Sequence, residues 1–237
     1  MHPPNADVGD VVDTQWPFGS QAEFVETAQA FAAKYAGLER GAGVLGPERT
    51  NAGWEWRSKF SLWRGTQGYL YRRARRVIAA PAAGDDTPAE LEEEEDDAAA
   101  ALVGSVHGAE VELSVAYSAS YGVPLLCLRA WDEHGVPLPL ATLVSVALRA
   151  HLPIDDGEQH ADALMLPGAP FPLLQQTEHP VTGDMVWSVH PCEVAGAVNE
   201  VLVAQAAADG DDSALRSRVS WLEAWFMLSD SVVDLSS

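Results

Sequence analysis

The chain has 237 residues, 47% of them apolar, enough for one globular domain with room for an insertion or at most two small domains. Its formal charge of −21 argues against generic nucleic-acid binding, which needs a basic surface to neutralise phosphates. Two cysteines give no disulfide framework and no zinc spacing, the polar start is not a secretory leader, and no apolar run reaches the ~20 residues that cross a bilayer, so a cytoplasmic protein is expected.

In chain order, residues 1–18 are expected to be a flexible lead. Ser20 and Glu23 have capping-box spacing, in which each side chain satisfies the other's backbone donor. Phe24, Val25, Ala28, Phe31, Ala32 and Tyr35 then recur at helical spacing. The glycines at 37, 41, 43 and 46 end this helix. Trp54 to Leu62 alternates strictly: Trp54, Trp56, Ser58, Phe60 and Leu62 share one side, Glu55, Arg57, Lys59 and Ser61 the other. That is the pattern of a half-buried antiparallel strand. Residues 64–68 turn the chain, and Tyr69 to Val77 returns as the second strand of a hairpin.

The hairpin region concentrates charge. Arg49, Arg57, Lys59, Arg64, Arg72, Arg73, Arg75 and Arg76 are 8 of the 14 basic residues, whereas 85–97 carries an acidic run and no basic residue. One local basic face on an acidic protein is expected, either a solvated strand surface or an edge that docks an acidic partner. Residues 79–104, rich in Ala, Pro, Gly and like charges, are predicted to be a disordered acidic insertion within one domain spanning 1–237. Val111, Leu113, Val115 and Tyr117 mark a third strand. Val123 to Trp131, nearly all apolar, marks a fourth and central one. A helix is predicted over Leu140–Leu152, an irregular proline-rich segment over 151–172, and helices around Val194–Leu202 and Leu215–Phe226. Strands followed by helices argue for an α+β fold with a four-stranded antiparallel sheet, an N-terminal helix and C-terminal helices.

The chemistry is concentrated in Glu178–Glu193, which holds His179, a Thr182-Gly183-Asp184 turn, a short apolar run, His190 and Cys192. Several readings of this stretch stand open. Cys192 is a candidate nucleophile, although most cysteines are small buried hydrophobes. A zinc site from His179, His190 and Cys192 lacks a fourth ligand at normal spacing. A protease-like pair of Cys192 with His179 or His160 lacks an evident orienting partner. Gly41-Ala-Gly-Val-Leu-Gly46 fits a dinucleotide fingerprint by letter but follows a helix and not a strand, and so fails its required context.

Several blocks together resemble the autophagy-related protein ten family. They are Val115-Ala-Tyr-Ser-Ala-Ser-Tyr-Gly-Val-Pro124, Leu128-Arg-Ala130, Gln175-Gln-Thr-Glu-His-Pro180, Thr182-Gly183, His190-Pro-Cys192 and Val219-Ser-Trp-Leu222. The early helix and Gly53-Trp-Glu-Trp56 also sit in the family's order, and the likeness runs from about residue 20 to the end, outside the acidic stretch. The resemblance implies a ubiquitin-conjugating-type (E2-like) transferase of autophagy. Cys192 would accept the modifier autophagy protein twelve as a thioester from the activating enzyme, autophagy protein seven. It would then pass the modifier to a lysine of autophagy protein five. No cofactor, metal, nucleic acid or membrane insertion is implied. The sibling autophagy protein three family, which modifies a lipid with autophagy protein eight, also carries His-Pro-Cys, but the Tyr-Ser-x-Ser-Tyr and Ser-Trp-Leu blocks are closer to the ten family. A non-catalytic E2-like binding module is the competing class.

Attack on a thioester builds charge on its oxygen, and ordinary E2 enzymes answer it with an asparagine placed before the cysteine in a His-Pro-Asn motif. No asparagine lies between Asn51 and Asn199 here. His190, Tyr117 and Tyr121 are the candidate substitutes, with sheet packing the alternative role of both tyrosines. His179 is expected to begin the Thr182-Gly183 turn.

Overall fold

In the computed structural model of the chain, residues 18–37, 50–62, 65–78, 107–154, 162–192, 194–209 and 217–235 are described. The expected acidic insertion lies outside them, as does the expected lead except for Phe18. Phe18 is buried, meeting Phe24 and Trp221 edge-on at 5.8 and 5.5 Å, so the lead stops short of residue 18.

The first helix, α1, spans Gln21–Tyr35, and Ser20 Oγ accepts from the Glu23 amide. The reciprocal half of the expected capping box is displaced by one residue. Glu23 Oε2 accepts from the Gly19 amide and not from that of Ser20, which still satisfies a donor at the helix start.

Seven strands, β1 (Glu55–Ser61), β2 (Gly65–Ile78), β3 (His107–Ser118), β4 (Val123–Asp132), β5 (Ala163–Met165), β6 (Pro172–Glu178) and β7 (Met185–Val189), form one sheet in the order β1-β2-β3-β4-β7-β6-β5. Every pairing is antiparallel. The predicted α+β class, the four-strand meander and the central place of β4 are all present. The count of four strands is corrected to seven. β5 has only three residues. β6 opens on Pro172, tolerated at a strand's first position, and continues into polar Gln-Gln-Thr-Glu. Neither shows the apolar alternation by which strands are recognised.

Three further helices, α2 (Leu140–Ala147), α3 (Val194–Asp209) and α4 (Arg218–Asp230), complete the described elements. The predicted helix over Leu140–Leu152 stops at Ala147, because Leu148 turns extended and bridges Val233. Together with α1, these helices pack on one face of the sheet. Leu70, Val111, Leu113, Val115, Leu126 and Leu128 point into them and meet Phe24, Phe31, Val198, Leu222 and Phe226 in a single core. Gly68 is required in β2 because the Trp56 ring of β1 crosses it: a Cβ there would lie 2.0 Å from that ring.

The expected basic face is divided by the pleat. Successive β2 side chains point to opposite sides, so Arg72 and Arg76 turn toward the helices while Arg73 and Arg75 face outward. Arg72 is 1% exposed, donates to the Thr50 carbonyl at 3.2 Å and stands 5.8 Å over the Trp54 ring. The outward Arg73 pairs with Glu110 at 2.7 Å on β3. A charge count along the strand therefore overstates the basic surface. At the hairpin end of β1, Phe60 and the following Leu62 are 69% and 87% exposed, away from the helices that cover Trp54.

Candidate active site

β6 and β7 form a hairpin whose two ends carry the residues singled out by sequence. At its closed end, the His179 amide donates to the Asp184 carbonyl and the Gly183 amide to the His179 carbonyl, with Gly183 at φ 75°. His179 Nδ1 accepts from the amides of Val181 and Thr182, both at 3.1 Å, which leaves the proton on Nε2 to meet Ser114 Oγ at 3.1 Å. Arg129 holds Asp184 at 3.2 Å, and Lys59 Nζ donates to the Thr182 carbonyl at 2.9 Å. The turn is thus strapped across the sheet's outer face. The length of β7 separates His179 from Cys192, so the pairing of these two residues, in a zinc site or a protease-like couple, is not formed. His160 lies outside the described residues.

Burial pushes His179 down to about 4, with nearby Arg129 acting in the same direction. An opened turn would restore the ordinary imidazole value of 6.5. Between those values the opened form binds more protons than the closed one. Closure therefore weakens as pH falls from 6.5 toward 4, by about 3 kcal/mol in all. Urea unfolding followed from pH 7 to pH 4 is expected to show a steeper acid decline in the natural protein than in His179→Gln. Equal slopes would contradict this role.

At the open end of the hairpin lie His190 and Cys192. His190 follows β7 directly, and its amide donates to the Leu173 carbonyl at 3.1 Å. Pro191 fixes its own φ and restricts His190 to extended backbone, which sets the offset between the backbones of His190 and Cys192. Cys192 is half-buried, and its Sγ is in contact with His190 Nε2. The chain then enters α3 at Val194, whose amide donates to the Pro191 carbonyl at 3.4 Å. Burial holds His190 below the ordinary imidazole value, so the ring is neutral at pH 7. Its Nδ1 is buried with no hydrogen-bond partner among the described residues.

Two rings enclose this imidazole. Phe171, just ahead of β6, stacks on it at 5.1 Å and 18°, and Tyr121 meets it edge-on at 5.9 Å and 76°. Tyr121 stands in the β3–β4 turn, closed by the Gly122 amide donating to Ser118 with Gly122 at φ 69°. Tyr117 is placed otherwise. Its ring packs on Phe24 of α1, and its hydroxyl donates to the Phe18 carbonyl at 3.4 Å. Of the two tyrosines, the fold brings only Tyr121 against His190. Phe171 escaped sequence reading, since nothing local marks an aromatic after Ala-Pro as a neighbour of the thiol. The β6–β7 register does mark it: continuing the Leu174–Val189 rung sets Phe171 opposite Cys192.

The described asparagines are occupied in the scaffold. Asn51 is buried beside Tyr35, and Asn199 accepts from Trp221 Nε1 at 3.1 Å. The second cysteine, Cys127, lies wholly buried on β4, and burial pushes its thiol up to about 12. A groove of about 330 Å3 opens beside Tyr121, lined by Ser118, Gln175, Thr177 and Ser188 among others. Among the described residues no group of three or more His, Cys, Asp or Glu is placed to hold a metal, and no helix is long and apolar enough to cross a membrane.

The sequence model of the family described as autophagocytosis associated protein, active-site domain, matches residues 23–237. The chain is also 27% identical over 125 residues to a Homo sapiens protein named Ubiquitin-like-conjugating enzyme ATG10. That alignment covers 53% of this chain and 49% of the human protein, so the chain spans about half the length of the curated relative it matches.

Proposed function

Because this chain belongs to the autophagocytosis associated protein, active-site domain family, we propose that it is an E2-like transferase of autophagy, and that Cys192 carries a ubiquitin-like modifier as a thioester. The observation that carries this reading is the Cys192–His190 pair at the open end of the β6–β7 hairpin, half-exposed and inside the family match. Cys127 offers no competing nucleophile, since a buried thiol with a raised pKa is held protonated.

The reaction has two acyl transfers. In the first, the Cys192 sulfur attacks the carbonyl of the modifier's C-terminal glycine, held as a thioester on the activating enzyme. A new C–S bond forms, the old C–S bond breaks with its electron pair going to that enzyme's sulfur, and the proton given up by the Cys192 thiol ends on the departing thiolate. In the second, a lysine amine of the target attacks the Cys192 thioester. The C–N bond forms, the C–S bond breaks with its electron pair going to Sγ, and the amine proton passes to neutral His190 Nε2. A thioester suits this relay because it retains enough free energy for amide formation, and sulfur is the most nucleophilic common side-chain atom near neutral pH. The Tyr121 hydroxyl is the nearest candidate for the donor role that asparagine plays in ordinary E2 enzymes. The groove beside it presents amides and hydroxyls suited to an extended peptide tail.

The relative named Ubiquitin-like-conjugating enzyme ATG10 and the Tyr-Ser-x-Ser-Tyr and Ser-Trp-Leu blocks favour autophagy protein twelve as modifier, seven as activating enzyme and five as target. Single-turnover charging with ATP, the activating enzyme and either modifier tests this choice. Charging by twelve, followed by a reductant-resistant conjugate on five, is expected. Charging by eight alone, with transfer to phosphatidylethanolamine, would move the protein to the sibling family.

A further inference from the structure

The usual way to aim a catalytic imidazole is a hydrogen bond to its second nitrogen, and His190 has none among the described residues, although its Nδ1 is buried. The backbone on either side is stiffened by Pro191 and by the His190–Leu173 hydrogen bond. That stiffness places the Cα of His190 but leaves its side-chain torsions free. The two rings contact what the backbone does not fix. Phe171 lies nearly parallel to the imidazole, and the Tyr121 ring stands across it. An offset stack combined with an edge contact is a favourable pairing for flat rings and restricts rotation about both torsions.

Taking the acyl-transfer reading above as its premise, we propose that Phe171 is a positioning residue: stacked on His190, it holds the imidazole against Cys192 in the orientation that takes the proton of the attacking lysine. In this role Phe171 acts through His190, on which its ring stacks. Its place follows from the fold, because the β6–β7 register brings the residue before β6 opposite the one after His190-Pro191. Its side chain is 47% exposed and belongs to neither buried core cluster, so the scaffold does not depend on it. An exposed phenylalanine beside a half-buried thiol, otherwise a solubility liability, thereby acquires a reason.

The test separates aim from scaffold. In the full chain labelled at histidine, the His190 ring is titrated by NMR in the natural protein, Phe171→Ala, Phe171→Leu and Phe171→Trp, with thermal melts as the folding control. Loss of the stack opens the ring to water. The His190 midpoint is therefore expected to rise toward the ordinary imidazole value in Phe171→Ala and Phe171→Leu, and to return in Phe171→Trp. Discharge of the Cys192 thioester to free lysine is expected to slow about tenfold in the first two and recover in the third, with charging within about twofold throughout. An unmoved His190 titration in a folded Phe171→Ala protein overturns the proposal, whatever its activity. A moved titration with full discharge overturns it as well. If the natural protein takes up no modifier at all, the acyl-transfer reading fails, whereas the titrations still show whether Phe171 holds the ring.

Discussion

His190→Gln is expected to slow discharge of the Cys192 thioester to lysine by about 100-fold at pH 7.5 while leaving charging within about threefold, because a positioned proton acceptor contributes roughly that factor. The two steps differ in their need for one. Charging exchanges one sulfur for another and removes no amine proton, whereas discharge must take a proton from the nitrogen as the C–N bond forms. His190 suits that task, since burial keeps its imidazole neutral at pH 7 and its Nε2 faces the sulfur. The pH dependence has a definite sign. As pH falls through the lowered imidazole value, His190 gains a proton and stops accepting, so the advantage of the natural protein over His190→Gln shrinks toward the acid side and holds constant above it. Plotting the ratio of the two rates cancels the titration of the lysine itself. A ratio near one at pH 7.5, or one that grows as pH falls, would remove His190 as the acceptor.

Val233→Asp is expected to be the most damaging single change outside the site, lowering stability by about 3–5 kcal/mol and the melting temperature by about 10 °C. The residues after α4 form a clasp. Val233 and Leu235 are fully buried, and Val233 bridges Leu148 while the Asp234 amide donates to the Ala147 carbonyl at 2.8 Å. Arg149 binds the Asp230 carbonyl at 2.8 Å and the Asp234 carboxylate at 3.2 Å, and Arg76 of β2 donates to the Asp234 carbonyl at 2.7 Å. Two arginines on separate elements thus converge on one short segment. A carboxylate at 233 would enter the apolar core that holds Val233, while both arginines are already engaged by Asp230 and Asp234. The clasp holds the end of α4, which packs on α3, the helix that follows Cys192. Charging is therefore expected to fall with the folded fraction and to recover on cooling. A melt within 2 °C of the natural protein would show that the segment is dispensable.

Legibility in the sequence followed the physics of each element. α1 is readable because its stripe and its Ser20 cap are local signals, β1 and β3 because their residues alternate, β2 as the return of the β1 hairpin, and β4 because burial on both faces makes it a nearly continuous apolar run. β5 and β6 were not, since a three-residue strand and a proline-led polar one are held by their neighbours more than by their own side chains. Arg72 shows the limit of charge counting: the pleat decides which arginines face solvent, and Thr50 and Trp54, which receive this one, are not adjacent to it in sequence. The candidate site divides in the same way. Cys192, His190 and Tyr121 were reachable through the family resemblance, and the Pro191 between the first two explains the fixed offset of their backbones. Phe171 was not, because its neighbour is determined by hairpin register and not by local spacing.

The central claim, that Cys192 carries the acyl group, is tested most directly by Cys192→Ser incubated with ATP, the activating enzyme and the modifier. A hydroxyl at this position is expected to trap an oxyester that survives reductant and yields to hydroxide, with the modifier mapped to residue 192 by mass spectrometry. A thiol-sensitive adduct in that variant, formed as readily as in the natural protein, would place the acyl group on another cysteine and contradict the account.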